Sequence, residues 1–161
     1  MTKGKYLLAS PYALVPRSTW LLAVLWICWV VLLYILSSSP RSVEAMPSIP
    51  HLDKVVHFSY FFCGAILVAS FFKNEGSVNL SFSSKSVLRI CVLLGAIVGA
   101  LDEFHQSFVE GRMGNDPADF TADVIGSYFG GFYALWAQQS LRKKRQDSEE
   151  ASEEASIKIK D

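Results

Sequence analysis

Four apolar runs, separated by polar segments, constrain this chain more than any other feature. They are Trp20 to Leu36, Val55 to Phe72, Val87 to Leu101 and Phe120 to Ala137. The first two carry no Asp, Glu, Lys or Arg, the third only Arg89 and the fourth only Asp123. A helix needs about 20 mainly apolar residues to cross a bilayer, with a lower limit near 17. Apolar residues make up 51% of the 161 in the chain, more than a soluble domain of this size could easily hide. The expectation is an all-α integral membrane bundle of about four transmembrane helices. It divides into a basic head (1–19), a membrane domain (20–137) and a charged tail (138–161). The tail is too poor in apolar residues to fold alone and reads as disordered.

The first run also resembles the apolar part of a signal peptide. Its length and aromatic content, and the poor cleavage site at Ser37-Ser38-Ser39-Pro40, favour a retained helix. With four spans both termini share one side. That side carries ten Lys and Arg near the membrane ends: Lys3, Lys5, Arg17, Lys73, Lys85, Arg89 and the 142–145 cluster. The other side has Arg41, Lys54 and Arg112. The excess of basic residues places both termini in the cytoplasm and turns loops 37–52 and 105–118 outward. The expected location is the cell membrane. Cys28, Cys63 and Cys91 match no disulfide or zinc spacing and read as small buried apolar residues.

Polar residues gather where three predicted helices meet the outer face. Helix two begins with Asp53, Lys54 and His57. Helix three ends with Asp102, Glu103 and Gln106. Helix four begins with Asp119 and Asp123. Asp53 and His57, Asp102 and Gln106, and Asp119 and Asp123 are each four apart, so each pair shares a helix face. An ionisable group at membrane depth costs about 2.5–3.5 kcal/mol on insertion scales and normally faces a partner inside the bundle. For Asp119 and Asp123 the plain alternative is capping of helix four plus pairing with Lys54 or Arg112. Arg112 either pairs with a local carboxylate or grips a phosphate or carboxylate on a ligand. His51 and His105 read as loop or interface residues. Gly95 with Gly99, and Gly126 with Gly130, are small-xxx-small pairs that predict a close contact between helices three and four.

Read in order, these residues form a pattern: Ser38-Ser39-Pro40; Asp53-Lys54-x-x-His57-Phe58 with Tyr60 and Gly64; Asp102-Glu103-x-x-Gln106-x-Phe108; Gly111-Arg112; Asp119-x-x-x-Asp123-x-x-Gly126-x-x-x-Gly130. The pattern resembles the VanZ-like family of small multi-pass bacterial membrane proteins and covers about residues 20–135. The family often has Asn where this chain has Asp123, so its site is the more acidic. The resemblance implies a cell-envelope role, related to an accessory protein of resistance to the glycopeptide antibiotic teicoplanin.

Three functions fit. The first is a non-enzymatic accessory protein. Its binding residues would be Lys54, His57, Asp102, Glu103, Gln106, Arg112, Asp119 and Asp123, with Lys54 and Arg112 holding an anionic lipid headgroup, a cell-wall precursor or a partner protein. The second is a membrane enzyme acting on a lipid or lipid-linked phosphate, with His57 as base oriented by Asp53 and the Asp102/Glu103 pair holding a metal or sharing a proton. Neither a nucleophile elbow nor a His-Glu-x-x-His motif is present. The third is a structural subunit. The first is the expectation, with the bilayer as partner and no cofactor, resident metal or nucleic acid. The pattern sets no oligomeric state.

Overall fold

The computed structural model describes residues 15–16, 18–39, 50–73, 82–112 and 114–158. The head through residue 14, Arg17, the segment 40–49 with Pro40 and Arg41, and most of the 73–86 loop lie outside these. The described part is all-helical: α1 (Thr19–Ser38), α2 (Leu52–Lys73), α3 (Ser84–Gln106) and α4 (Pro117–Lys158).

Each helix takes in an apolar run and extends it with polar end residues. Ser18 caps α1 by accepting from the Leu21 amide at 3.4 Å, and Ser83 caps α3 by accepting from Ser86 at 3.1 Å. Asp116 and Pro117 start α4. The Asp116 side chain accepts from the Ala118 amide at 2.8 Å, and proline needs no amide partner at the first helical position. Among the described residues, α1 and α2 are long and apolar enough to cross a membrane.

The helices run alternately up and down. The C-terminal ends of α1 and α3 meet the N-terminal ends of α2 and α4. At the opposite end Lys73 Nζ donates to the Phe82 carbonyl at 2.6 Å, and Arg142 reaches the Lys73 carbonyl at 3.5 Å. α2 and α4 form the most extensive contact, and α3 packs on both. α1 lies against α2 and α3 but not α4, and is the most lightly attached. It is fastened at Trp29, whose indole N–H donates to the Tyr60 carbonyl at 3.1 Å while the Tyr60 hydroxyl donates to the Trp29 carbonyl at 2.7 Å. Gly64 makes room for that indole, because a Cβ there would lie 2.5 Å from the ring.

Three expectations are corrected. Gly95 and Gly99 do face α4, meeting Ser127 and Asp123, but Gly126 and Gly130 face the Phe58 and Phe62 carbonyls of α2. The glycines of α4 therefore bring it against α2, which supplies its larger interface. Of the cysteines only Cys91 is buried, while Cys28 and Cys63 are exposed on apolar helices. The charged tail, expected without regular structure, continues α4 as an exposed helix to Lys158. It needs no core: Glu, Lys, Gln, Arg and Ala favour the helix locally, and Arg145 pairs with Glu149 one turn on at 2.9 Å.

Candidate functional site

The end where α1 and α3 finish and α2 and α4 begin gathers Asp53, Lys54, His57, Asp102, Glu103, Gln106, Arg112, Asp119 and Asp123. Its charged groups form two tiers. The outer tier is built around Lys54 in the first turn of α2. Its ammonium lies 2.8 Å from Asp53 Oδ2, 2.6 Å from Asp116 Oδ2 and 2.9 Å from Asp119 Oδ1. One cation thus ties α2 to the loop before α4 and to the first turn of α4. The ammonium beside Asp116 holds that carboxyl below the usual aspartate range, helped by the Ala118 amide.

The inner tier lies deeper. His57, one turn beyond Asp53, is buried, and its Nδ1 lies 2.9 Å from Asp123 Oδ1. Asp123 is fully buried and sits where Gly99 presents no side chain. The expected pairing of His57 with Asp53 does not form. Asp53 is drawn to Lys54 next to it, and α4 delivers Asp123 to the imidazole instead.

Asp102 and Glu103, in the last turn of α3, complete the inner tier. Asp102 accepts from the Ser37 hydroxyl of α1 and from Gln106 Nε2, the latter at 2.7 Å. Glu103 Oε2 accepts from the Asp116 amide at 2.7 Å, and its main-chain carbonyl accepts from Asn115 at 3.2 Å. This pins the 107–116 loop over the site. His57, Asp102 and Glu103 each bring one nitrogen or oxygen to within 4.8 Å of the others. Asp53, Asp116 and Asp119 do the same in the outer tier.

Arg112 has other work than the ligand grip expected of it. Its Nε donates to the Ser39 carbonyl at 3.1 Å, Nη2 to the Leu36 carbonyl, and Nη1 reaches Gln106 Oε1 at 3.4 Å. A guanidinium offers five donors in a fixed fork, which suits the carbonyls at the end of a helix. Gly111, at φ 76°, turns the chain so that Arg112 can reach α1. Beside it a cleft of about 510 Å³ opens between Ser107, Arg112 and the 114–117 strand of loop.

Six carboxyls therefore face Lys54, His57 and Arg112. Most of their oxygens are partnered, but among the described residues Glu103 Oε1 and Asp123 Oδ2 are buried with neither a hydrogen bond nor an ion pair. An unsatisfied buried polar atom costs about 1–3 kcal/mol, and more when charged.

Sequence reasoning did not single out Ser37 or Asp116, each of which holds a member of the inner tier. Asp116 was detectable, since Asp before Pro at a helix start is a capping signal. Ser37 carried no such signal, because its role depends on where α1 docks. His51 sits outside the cluster in a turn with φ 63°. His105 lies on the α1 interface, its Nε2 2.9 Å from Ser38 Oγ and its ring 4.7 Å from that of Tyr34.

Comparison with family models, with curated proteins and with solved structures finds no match.

Proposed function

We propose that the chain is a VanZ-like integral protein of the cell membrane, crossing it four times with both termini cytoplasmic, and that its outward end is a ligand-binding site of the cell envelope. Helices of 20 to 23 residues, the lengths of α1 to α3, reach about 30–35 Å at 1.5 Å per residue, close to the apolar thickness of a bilayer. α3 and α4 expose Leu93, Leu101, Phe129, Phe132 and Trp136 outward, an apolar belt suited to lipid. Among the described residues, Lys73, Lys85, Arg89 and the 142–145 cluster lie toward the other end of the bundle, against Lys54 and Arg112 at this one, the excess that a cytoplasmic face would carry.

The observation that carries the binding reading is the pair of unpartnered oxygens on Glu103 and Asp123. A network serving only helix packing would close on itself, as buried polar groups normally do. This one stays open at two carboxylates. The acidic balance also refines the ligand expected from the sequence. Lys54 and Arg112 are committed to protein groups, so direct capture of a bare phosphate is disfavoured. A lipid headgroup or lipid-linked cell-wall precursor would meet these carboxylates through a positive or hydrogen-donating group, its own or a bound cation.

The His57–Asp123 pair favours a second reading. An imidazole backed by a carboxylate is the arrangement of a general base, so turnover of a lipid-linked substrate remains the alternative.

Two measurements test the proposal. Single cysteines at Asn115 and at Ser148, in a chain freed of its native cysteines, should react with a membrane-impermeant maleimide from outside and only after permeabilisation, respectively. The reverse pattern rejects the topology. Lipids retained by purified wild-type protein and identified by mass spectrometry should include a headgroup class that folded Asp123→Asn loses. Equal retention rejects the site. Hydrolysis of the retained lipid, abolished by His57→Gln, would move the assignment to the second reading.

A further inference from the structure

The two acidic tiers differ in one respect. The outer carboxylates already surround a cation, the Lys54 ammonium, which sits 2.6–2.9 Å from each of them. The inner tier presents a different donor set: an imidazole and two carboxylates, on two helices, converging to within 4.8 Å. Donors about 2.1–2.4 Å from a common ion can be no more than about 4.2–4.8 Å apart, so the three need only small adjustments to share one.

Each donor is held from behind. His57 Nδ1 is bonded to Asp123 at 2.9 Å, which leaves Nε2 as the coordinating nitrogen and fixes the ring. Metal-bound histidines are commonly oriented by a carboxylate in this way. Asp102 is gripped by Ser37 and Gln106, and Glu103 Oε2 by the Asp116 amide. Against that, Glu103 is 4% exposed and its Oε1 has no partner. A buried, unspent oxygen on one member of a cluster of two carboxylates and an imidazole leaves that cluster short of positive charge.

From this geometry we infer that His57, Asp102 and Glu103 bind one divalent metal ion, with Asp123 as the residue that positions His57. A mixed imidazole and carboxylate set suits Zn²⁺ or Mn²⁺, whereas Mg²⁺ and Ca²⁺ prefer oxygen alone. Three protein ligands leave at least one coordination position for a ligand oxygen. The inference rests on the envelope-binding reading and deepens it. A metal here would let an acidic site accept the phosphate of a headgroup, which Lys54 and Arg112 are not placed to do.

The test uses the full chain, purified in detergent without a polyhistidine tag, stripped with chelator and titrated with Mn²⁺ or Zn²⁺. Loss of the free Mn²⁺ electron paramagnetic resonance signal and calorimetry with Zn²⁺ report binding. One ion per chain is expected. Glu103→Gln and His57→Gln, which preserve shape, should weaken binding at least 100-fold. Asp123→Asn should weaken it about 10–100-fold, as loss of an orienting partner does. Glu149→Gln, on the exposed tail, should leave it unchanged. Thermal unfolding of each variant without metal shows that it is folded. Binding of neither metal at one ion per chain, or equal affinity in folded Glu103→Gln, overturns the proposal. Retention of a lipid by chelator-treated wild type would overturn the metal's role while leaving the envelope-binding reading standing. Stoichiometric metal binding in a chain that retains no lipid would do the opposite.

Discussion

The carboxylate of Asp123 occupies the space that Gly99 leaves on α3, with Oδ2 only 2.7 Å from where a Cβ would stand. A backbone position on one helix thus decides where an acidic group on another can sit, and through it where His57 points. Gly99→Ala should push Asp123 aside and break its bond to the imidazole. The expected loss is about 1–3 kcal/mol of stability, from overpacking and from a disturbed buried network. Thermal unfolding in detergent measures it. An unchanged midpoint would show that the carboxylate has room to move.

The glycines of α4 should be less forgiving. At Gly126 and Gly130 the obstacle is the main chain of α2, which cannot swing away as a side chain can. Gly126→Ala should lower the unfolding midpoint more than Gly131→Ala, where a Cβ would first meet the Cys91 side chain at 3.1 Å. The reverse order would remove α2 from its place as the main partner of α4.

Lys54→Met removes the cation shared by Asp53, Asp116 and Asp119. Truncating one partner of a fully buried ion pair costs about 3–5 kcal/mol, and exposed pairs count for much less. The Lys54 side chain is 24% exposed, so about 2 kcal/mol is expected, with repulsion among three carboxylates adding to the loss of tethering. Lys54→Arg should recover part of it. Chemical denaturation of the three proteins side by side decides the matter.

Asp116 predicts a pH dependence. Its carboxyl is held below the ordinary range by Lys54, so it favours the folded state once ionised. That stability is present above the ordinary aspartate pKa and is lost as the pH falls through the lowered value. Wild type should therefore be more stable than Asp116→Asn at neutral pH, and the gap should close in acid. No gap at neutral pH would mean that Asp116 works through its cap of α4 alone, which Asn supplies equally.

Deleting residues 147–161 should change the unfolding midpoint little, within about 0.5 kcal/mol, because every described side chain there is exposed and away from the bundle. A larger loss would place the tail against the helical bundle.

Much of this architecture was legible in the amino-acid sequence. Apolar runs located all four helices, because burial or lipid contact demands apolar residues over a whole helix. The polar cluster was legible for the same reason in reverse, since charge next to such runs needs partners. Pairings were not. Asp53 and His57 share a helix face and invited each other, yet the structure gives each a different partner. Spacing along one helix says which side a residue is on, while the choice among nearby partners depends on how the helices are rotated and crossed. The glycine pairs were half legible in the same way: Gly95 and Gly99 face α4 as expected, while Gly126 and Gly130 close on α2 instead of α3. Ser37 was hidden altogether, because a serine near a helix end looks the same whether or not an aspartate waits opposite.

α1 has the smallest share of the interhelical packing, yet it closes the inner tier through Ser37 and gives Arg112 two of its carbonyl anchors. The least anchored helix is thus wired to the most charged end. Anything that displaces Asp102 changes the free energy holding α1 in place, and by reciprocity, in the proposed membrane setting, any lateral pull on α1 changes where that carboxylate sits. In that setting the bilayer and the acidic end would be two handles on a single latch.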